Sequence, residues 1–124
     1  MQNYFPKKFN VFVGGFFGPS YNAEINGASL TYKIYKSGNS LKETKEINPS
    51  PEEWIEFWKV CDLIGLWNWQ PRYENPDILD GFSWRIVIEF DDKKLDSSGS
   101  NDGPKLLRDL FDSISELLGG VIFR

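Results

Sequence analysis

Asp80–Phe90 reads DGFSWRIVIEF, and this stretch decides the fold. Its large apolar side chains stand at every second position: Phe82, Trp84, Ile86, Ile88 and Phe90. In an extended strand, a period of two places them on one face and the intervening side chains on the other. Five large apolar side chains need a cover, and an amphipathic helix is predicted on each side of this stretch. We therefore expect a central strand that lies beneath two helices.

The two predicted helices have clear start signals and apolar stripes. Ser50 and Glu53 form a capping box, and Pro51 suits the first helical position, which predicts a helix from Pro51 onward. Its apolar positions at helical spacing are Trp54, Phe57, Trp58, Cys61 and Ile64. The second helix is predicted from about Pro104 to Leu118. Its stripe consists of Leu107, Leu110, Phe111, Ile114, Leu117 and Leu118.

The remaining pattern predicts an α+β fold. Besides the central strand, β-forming or alternating runs occur at Phe9–Val13, Ser29–Tyr35, Leu41–Ile47 and Lys94–Ser97. Residues 19–27 read as a loop, and short strands are further options at Leu66–Trp69 and Val121–Phe123. Successive hairpins favour a single antiparallel sheet of about five or six strands with both helices packed on one face. Because no linker or repeat interrupts the chain, we expect one domain over residues 1–124.

Histidine is absent and Cys61 is the only cysteine. Ser-His-Asp and Cys-His catalysis are therefore excluded, as is a zinc site of the usual Cys and His ligands. Oxygen-ligand chemistry with calcium or magnesium stays open in principle. We expect no resident metal, no cofactor and no enzymatic activity, and we interpret Cys61 as an inert buried thiol.

The net charge of −4 is unevenly distributed. Residues 63–124 carry seven basic and eleven acidic side chains, whereas residues 1–62 are balanced. An acidic chain repels phosphate backbones, so we expect no nucleic-acid partner. The sequence has neither an early apolar signal segment nor a membrane-length apolar run, which predicts a cytoplasmic protein without a membrane partner.

The irregular stretch 65–81 carries the main binding candidates. Trp67, Trp69, Arg72 and Tyr73 interleave rings with polar groups, a pattern that can stack on a sugar, a base or a partner's side chain. The alternative, which we favour, is that the two tryptophans close one end of the core.

Asp80 and Arg85 complete the candidate set. Arg85 on the face away from the helices could grip a carboxylate or a phosphate, although a cross-strand ion pair is the simpler reading. Asp80 stands with Glu74 and Asp77 in a group of carboxylates capable of acid-base work. Ordinary turn chemistry also explains Asp80, because glycine follows it.

Three spaced motifs resemble a group of small bacterial proteins that are filed as domains of unknown function. They are Trp67-x-Trp69-x3-Tyr73, Asp80-Gly81-x2-Trp84, and Gly99-x-Asn101-x2-Pro104 before a leucine-rich helix. The resemblance covers roughly residues 50–118 and implies an aromatic-rich α+β domain of bacterial origin. The chain also resembles, more loosely, small acidic proteins that neutralise bacterial toxins. Neither resemblance implies catalytic residues.

These observations lead to three functional hypotheses. The first is a non-enzymatic domain that binds another protein, of basic character, in a toxin-neutralising or regulatory role. The second is a small-ligand-binding domain whose aromatic loop and Arg85 converge on a pocket. The third is a hydrolase that uses two of the carboxylates in the stretch 65–81. The sequence does not decide the oligomeric state.

Overall fold

A computed structural model describes residues 4–15, 18–36, 40–77 and 81–123. Its elements, in chain order, are β1 (Lys8–Gly15), β2 (Ser20–Asn26), β3 (Ser29–Lys36), β4 (Ser40–Ile47), α1 (Pro51–Leu63), a short 3-10 helix (Leu66–Asn68), β5 (Arg72–Glu74), β6 (Phe82–Glu89), β7 (Lys94–Ser100) and α2 (Leu107–Leu117). The strands form one seven-stranded sheet in the order β4-β3-β2-β1-β6-β7-β5. The fold class is therefore α+β with two helices, as predicted.

The predicted central strand is β6, which pairs with β1 on one side and β7 on the other. Facing residues of β1 and β6 bury their side chains on the same face: Phe9 with Ile88, Val11 with Ile86, and Val13 with Trp84. Removing each such side chain from water stabilises the fold by about 1.5–3 kcal/mol. Phe82 departs from the predicted pattern and is 39% exposed, because it lies at the end of β6 beside an open cleft.

The predicted sheet was too small and wrongly all antiparallel. Residues 20–26, read as a loop because of their asparagines, form β2, whose Tyr21 and Ala23 are buried between β1 and β3. Glycine at position 27 turns the chain into β3 with a φ of 65°. The other missed strand, β5, pairs parallel to β7. Three residues are too few to display a period of two, so β5 left no signal in the sequence.

The first helix begins where the capping box predicted. Ser50 Oγ accepts a hydrogen bond from the Glu53 amide, and the Glu53 carboxylate accepts one from the Ser50 amide. The helix turns Trp54, Phe57 and Cys61 into the core, and the Trp54 ring meets Phe9 edge-on at 5.6 Å. The side chains of α1 thus cover the face of β1 that carries Phe9.

The second helix begins three residues later than predicted, at Leu107, without a side-chain cap. Pro104 instead opens a turn, because its carbonyl accepts a hydrogen bond from the Leu107 amide. The helix contacts α1 and buries the predicted leucine stripe.

The C-terminal residues pack as an irregular segment where a strand was an option. Phe123 is 2% exposed and lies among Tyr21, Tyr32 and Phe111. The Tyr32 hydroxyl donates a hydrogen bond to the Ile122 carbonyl. Ring packing and this side-chain hydrogen bond, in place of main-chain pairing with a strand, therefore hold residues 121–123 over the sheet.

Gly99 offers a direct test of the packing around Trp84. A Cβ at position 99 would lie 2.4 Å from Trp84 Nε1 and 2.5 Å from the Asp102 carbonyl oxygen, between the partners of a 2.8 Å hydrogen bond. Gly99→Ala should therefore lower the free energy of unfolding by about 1–3 kcal/mol. Gly15→Ala is the matched control, since its nearest neighbours lie at 3.8 Å. Urea denaturation that finds equal effects for the two variants would contradict this packing.

Because the side chain of Tyr32 is buried, we expect the protein to lose stability at alkaline pH. Burial, with the nearby Tyr21, raises the pKa of Tyr32 from 10.0 to about 12. The folded state holds the phenolic proton more tightly than the unfolded state does. The resulting contribution of Tyr32 to the free energy of unfolding is fully present below pH 10 and is lost as the pH rises through about 12. The free energy of unfolding of Tyr32→Phe should fall less steeply across that window than that of the wild type. Identical slopes in urea titrations would refute the prediction.

Candidate functional site

Trp67 lies beside the end of α1, on the helix side of the sheet. Its half-buried ring stacks on Trp58 at 6.2 Å, and its indole nitrogen donates a 2.9 Å hydrogen bond to Asp62. The Lys93 ammonium stands 4.6 Å from the ring centroid, a cation–π arrangement. One face of the Trp67 ring therefore packs against the core, and the edge that carries its indole nitrogen lies at the surface.

Trp69 and Tyr73 pack together against a different ring. Their centroids lie 6.3 Å and 5.9 Å from that of Trp84, and both side chains are half-buried. The Tyr73 hydroxyl accepts a hydrogen bond from the Gln70 amide at 3.0 Å. For Trp69, this packing is the one expected if the tryptophans of the loop close one end of the core.

Arg72 and Arg85 lie on the opposite face of the sheet, which the helices do not cover. Two nitrogens of Arg85 contact the Asp96 carboxylate at 3.3 Å and 3.0 Å, and these hydrogen bonds raise the pKa of Arg85. Arg72 pairs with Glu74 at 3.0 Å. The two arginines border one depression with Asp96, but each already has a carboxylate partner.

The predicted set therefore does not converge on one pocket. Neighbouring residues of a strand point to opposite faces, so Arg72 and Tyr73 are separated by the sheet itself. Asp80 lies outside the described residues. Among the other carboxylates of this stretch, Glu74 is held by Arg72, and Asp77 is exposed in a turn. The binding roles of these residues stay predictions.

Cys61 is fully buried, and burial raises the pKa of its thiol. Across the described part of the chain, no three or more carboxylate or cysteine side chains are grouped so that they could hold a metal ion. A search of the same residues finds no helix that is long and apolar enough to cross a membrane.

An acidic groove between the helices was missed by sequence reasoning. Seven carboxylates and two cations give α1 and α2 together a net charge of −5, compared with −4 for the whole chain. All seven carboxylates are exposed. A groove of about 170 Å³ runs between the helices, and its lining residues are Glu53, Glu56, Phe57, Val60, Ser113, Glu116 and Leu117. Counting charges by predicted helix would have located this concentration.

A cleft of about 840 Å³ with a mixed polar and apolar lining is the second feature that the sequence did not reveal. It lies where β1 ends and β2 and β6 begin, against the side of α2 that faces away from the groove. The last two residues of β1, Gly14 and Gly15, and the turn at Gly103-Pro104 reach its wall. Those glycines were visible in the sequence, but only the tertiary structure brings the end of β1 and this turn together.

Exchanging Trp69 separates the core role of this residue from a binding role. Replacing a fully buried tryptophan with alanine lowers the free energy of unfolding by about 3–5 kcal/mol. Because Trp69 is only half-buried, Trp69→Ala should lower it by about 2–3 kcal/mol. Leu63→Ala is the control, because Leu63 is 85% exposed and its loss should change stability by less than about 0.5 kcal/mol. Thermal or urea unfolding measures both. Unchanged stability of Trp69→Ala would return Trp69 to the surface and to the binding hypotheses.

The chain matches no known family model, and no curated protein sequence shows significant similarity to it. The resemblance of its spaced aromatic motifs to small bacterial proteins therefore stays a prediction.

Proposed function

We propose that this chain is a non-enzymatic protein-binding domain whose two helices receive a basic partner protein. The observation that carries the proposal is the groove between α1 and α2. Glu53, Glu56 and Glu116 line it above the side chains of Phe57 and Leu117. A cationic side chain with an aliphatic stem, such as lysine or arginine, matches both parts of such a groove.

The surrounding charge supports the same partner. The exposed carboxylates extend along both helices, whereas the rest of the chain carries a net charge of +1. A surface with a net negative charge attracts a positively charged partner and can raise the association rate by about 10–10³. Steering of this kind suits a protein that must reach its target quickly, as a toxin-neutralising or regulatory protein does.

Trp67 extends this acidic surface at one end. Its indole is bonded to Asp62, the last acidic residue of α1, and its polar edge is accessible. Tryptophan is enriched among the residues that contribute most to the affinity of protein interfaces. We extend the proposal to a bacterial protein, as the resemblance implies, and to the cytoplasm, as expected from the lack of a signal-like or membrane-length apolar segment in the sequence.

Reversing two groove charges tests the proposal. Glu56→Lys combined with Glu116→Lys should lower the association rate constant with a basic partner by about tenfold at low salt. Added salt should shrink this difference, because it screens exposed charges. The partner would first be isolated by pull-down with the wild-type chain, and its association would then be measured with both purified proteins.

The matched control is Glu46→Lys combined with Asp77→Lys, which changes the net charge equally at exposed positions away from the helices. Association that slows with the groove variant and not with the control supports the helical surface. Equal slowing with both variants would mean that only the net charge matters, and no slowing with either would overturn the proposal.

A further inference from the structure

The cleft on the other side of α2 has the dimensions of a small-molecule site, and its lining is partly apolar and partly polar. Its volume of about 840 Å³ falls within the range of roughly 300–1,000 Å³ that holds small molecules in proteins. Its apolar wall combines sheet, helix and C-terminal residues: Val13, Tyr21, Phe82, Leu107, Phe111 and Phe123. Apolar side chains also reach its rim, where Phe82 is 39% and Ile122 is 66% exposed.

The two cations of the cleft lie just before and just inside the start of α2. Lys105 and Arg108 line it and are exposed. Within the described parts of the chain, neither cation forms an ion pair with a carboxylate. Asp112 borders the cleft one helical turn beyond Arg108, so the positive charge of the cleft lies toward its Lys105 end.

We propose that this cleft binds a small amphipathic anion, with the apolar body of the ligand against Phe82 and Phe111 and its charged end at Lys105 and Arg108. Burial of the apolar body supplies most of the affinity. The two cations fix the orientation of the ligand, because the guanidinium of arginine and the ammonium of lysine both donate hydrogen bonds to a carboxylate or a similar anionic group. This site goes beyond the proposed function and uses a different side of α2 from the acidic groove, so either can fail without the other.

Gly15, at the end of β1, provides a way to fill the cleft without a steric clash at its Cβ. Gly15 lines the cleft, and a Cβ built on it has its nearest neighbours at 3.8 Å. Its partner in the β1–β6 register is Phe82, so a side chain at position 15 points to the same side of the sheet as that ring. Gly18 lies outside the lining and has open space around its Cβ position, which makes it the matched control.

The test uses decanoate as the probe and decanol as its neutral counterpart, with binding measured by calorimetry and by amide chemical shifts. Decanoate should bind the wild type about twofold to tenfold more tightly than decanol, as expected for two exposed charge pairs. Lys105→Gln combined with Arg108→Gln should remove this preference and leave decanol binding unchanged. Gly15→Leu should abolish binding of both probes, whereas Gly18→Leu should leave both intact.

Several results would overturn the site. Equal affinity of the wild type for the two probes would remove the anion from the proposal. Binding that survives Gly15→Leu in a folded variant would place the probes elsewhere. If neither probe bound, the proposal of a small anion would fail, and an apolar side chain of a partner protein would become the candidate occupant of the cleft. Thermal melts of each variant establish that a lost signal reflects the cleft and not unfolding.

Discussion

The packing around the Trp84 indole is the constraint on which the edge of the sheet and the start of α2 depend. Trp84 is 2% exposed and contacts the rings of Trp69 and Tyr73. Aromatic pairs of this kind contribute about 0.5–1.5 kcal/mol each beyond the area they bury. Its indole nitrogen also bonds the Asp102 carbonyl, and its ring fills the space where Gly99 lacks a side chain. One side chain thus joins β5, β6, β7 and the turn that leads into α2.

This arrangement explains the position of part of the aromatic loop. Trp69 and Tyr73 are directed toward Trp84, so these two side chains close one edge of the core. The same indole holds the chain at Asp102, next to the Gly103-Pro104 turn that lines the cleft. A cleft whose wall is anchored in the core keeps its shape without a ligand, which is the usual state of small-molecule sites.

The two sides of α2 have different chemistry, although they belong to one amphipathic helix. Ser113, Glu116 and Leu117 face the acidic groove with α1, whereas Leu107, Arg108 and Phe111 face the cleft. The two proposed sites therefore lie on different sides of α2, and a protein and a small anion bound there would not compete directly. Linkage between the two sites would require that one ligand change the position of the helix, since coupling needs two states with different affinities.

The sequence by itself determined the α+β class, the central strand and the start of the first helix, because these depend on local periodicity and on the capping box of Ser50 and Glu53. It also determined the exclusion of histidine-based catalysis, which depends on composition alone. The tertiary structure decided the size and direction of the sheet, since β5 has only three residues and takes its position from β7. It also decided which side chains meet. Arg72 and Tyr73 are adjacent in the chain and are separated by the sheet, whereas Gly15 and Phe82 are far apart in sequence and become neighbours because β1 pairs with β6. Long-range pairing of this kind depends on the whole core, and no local pattern contains it.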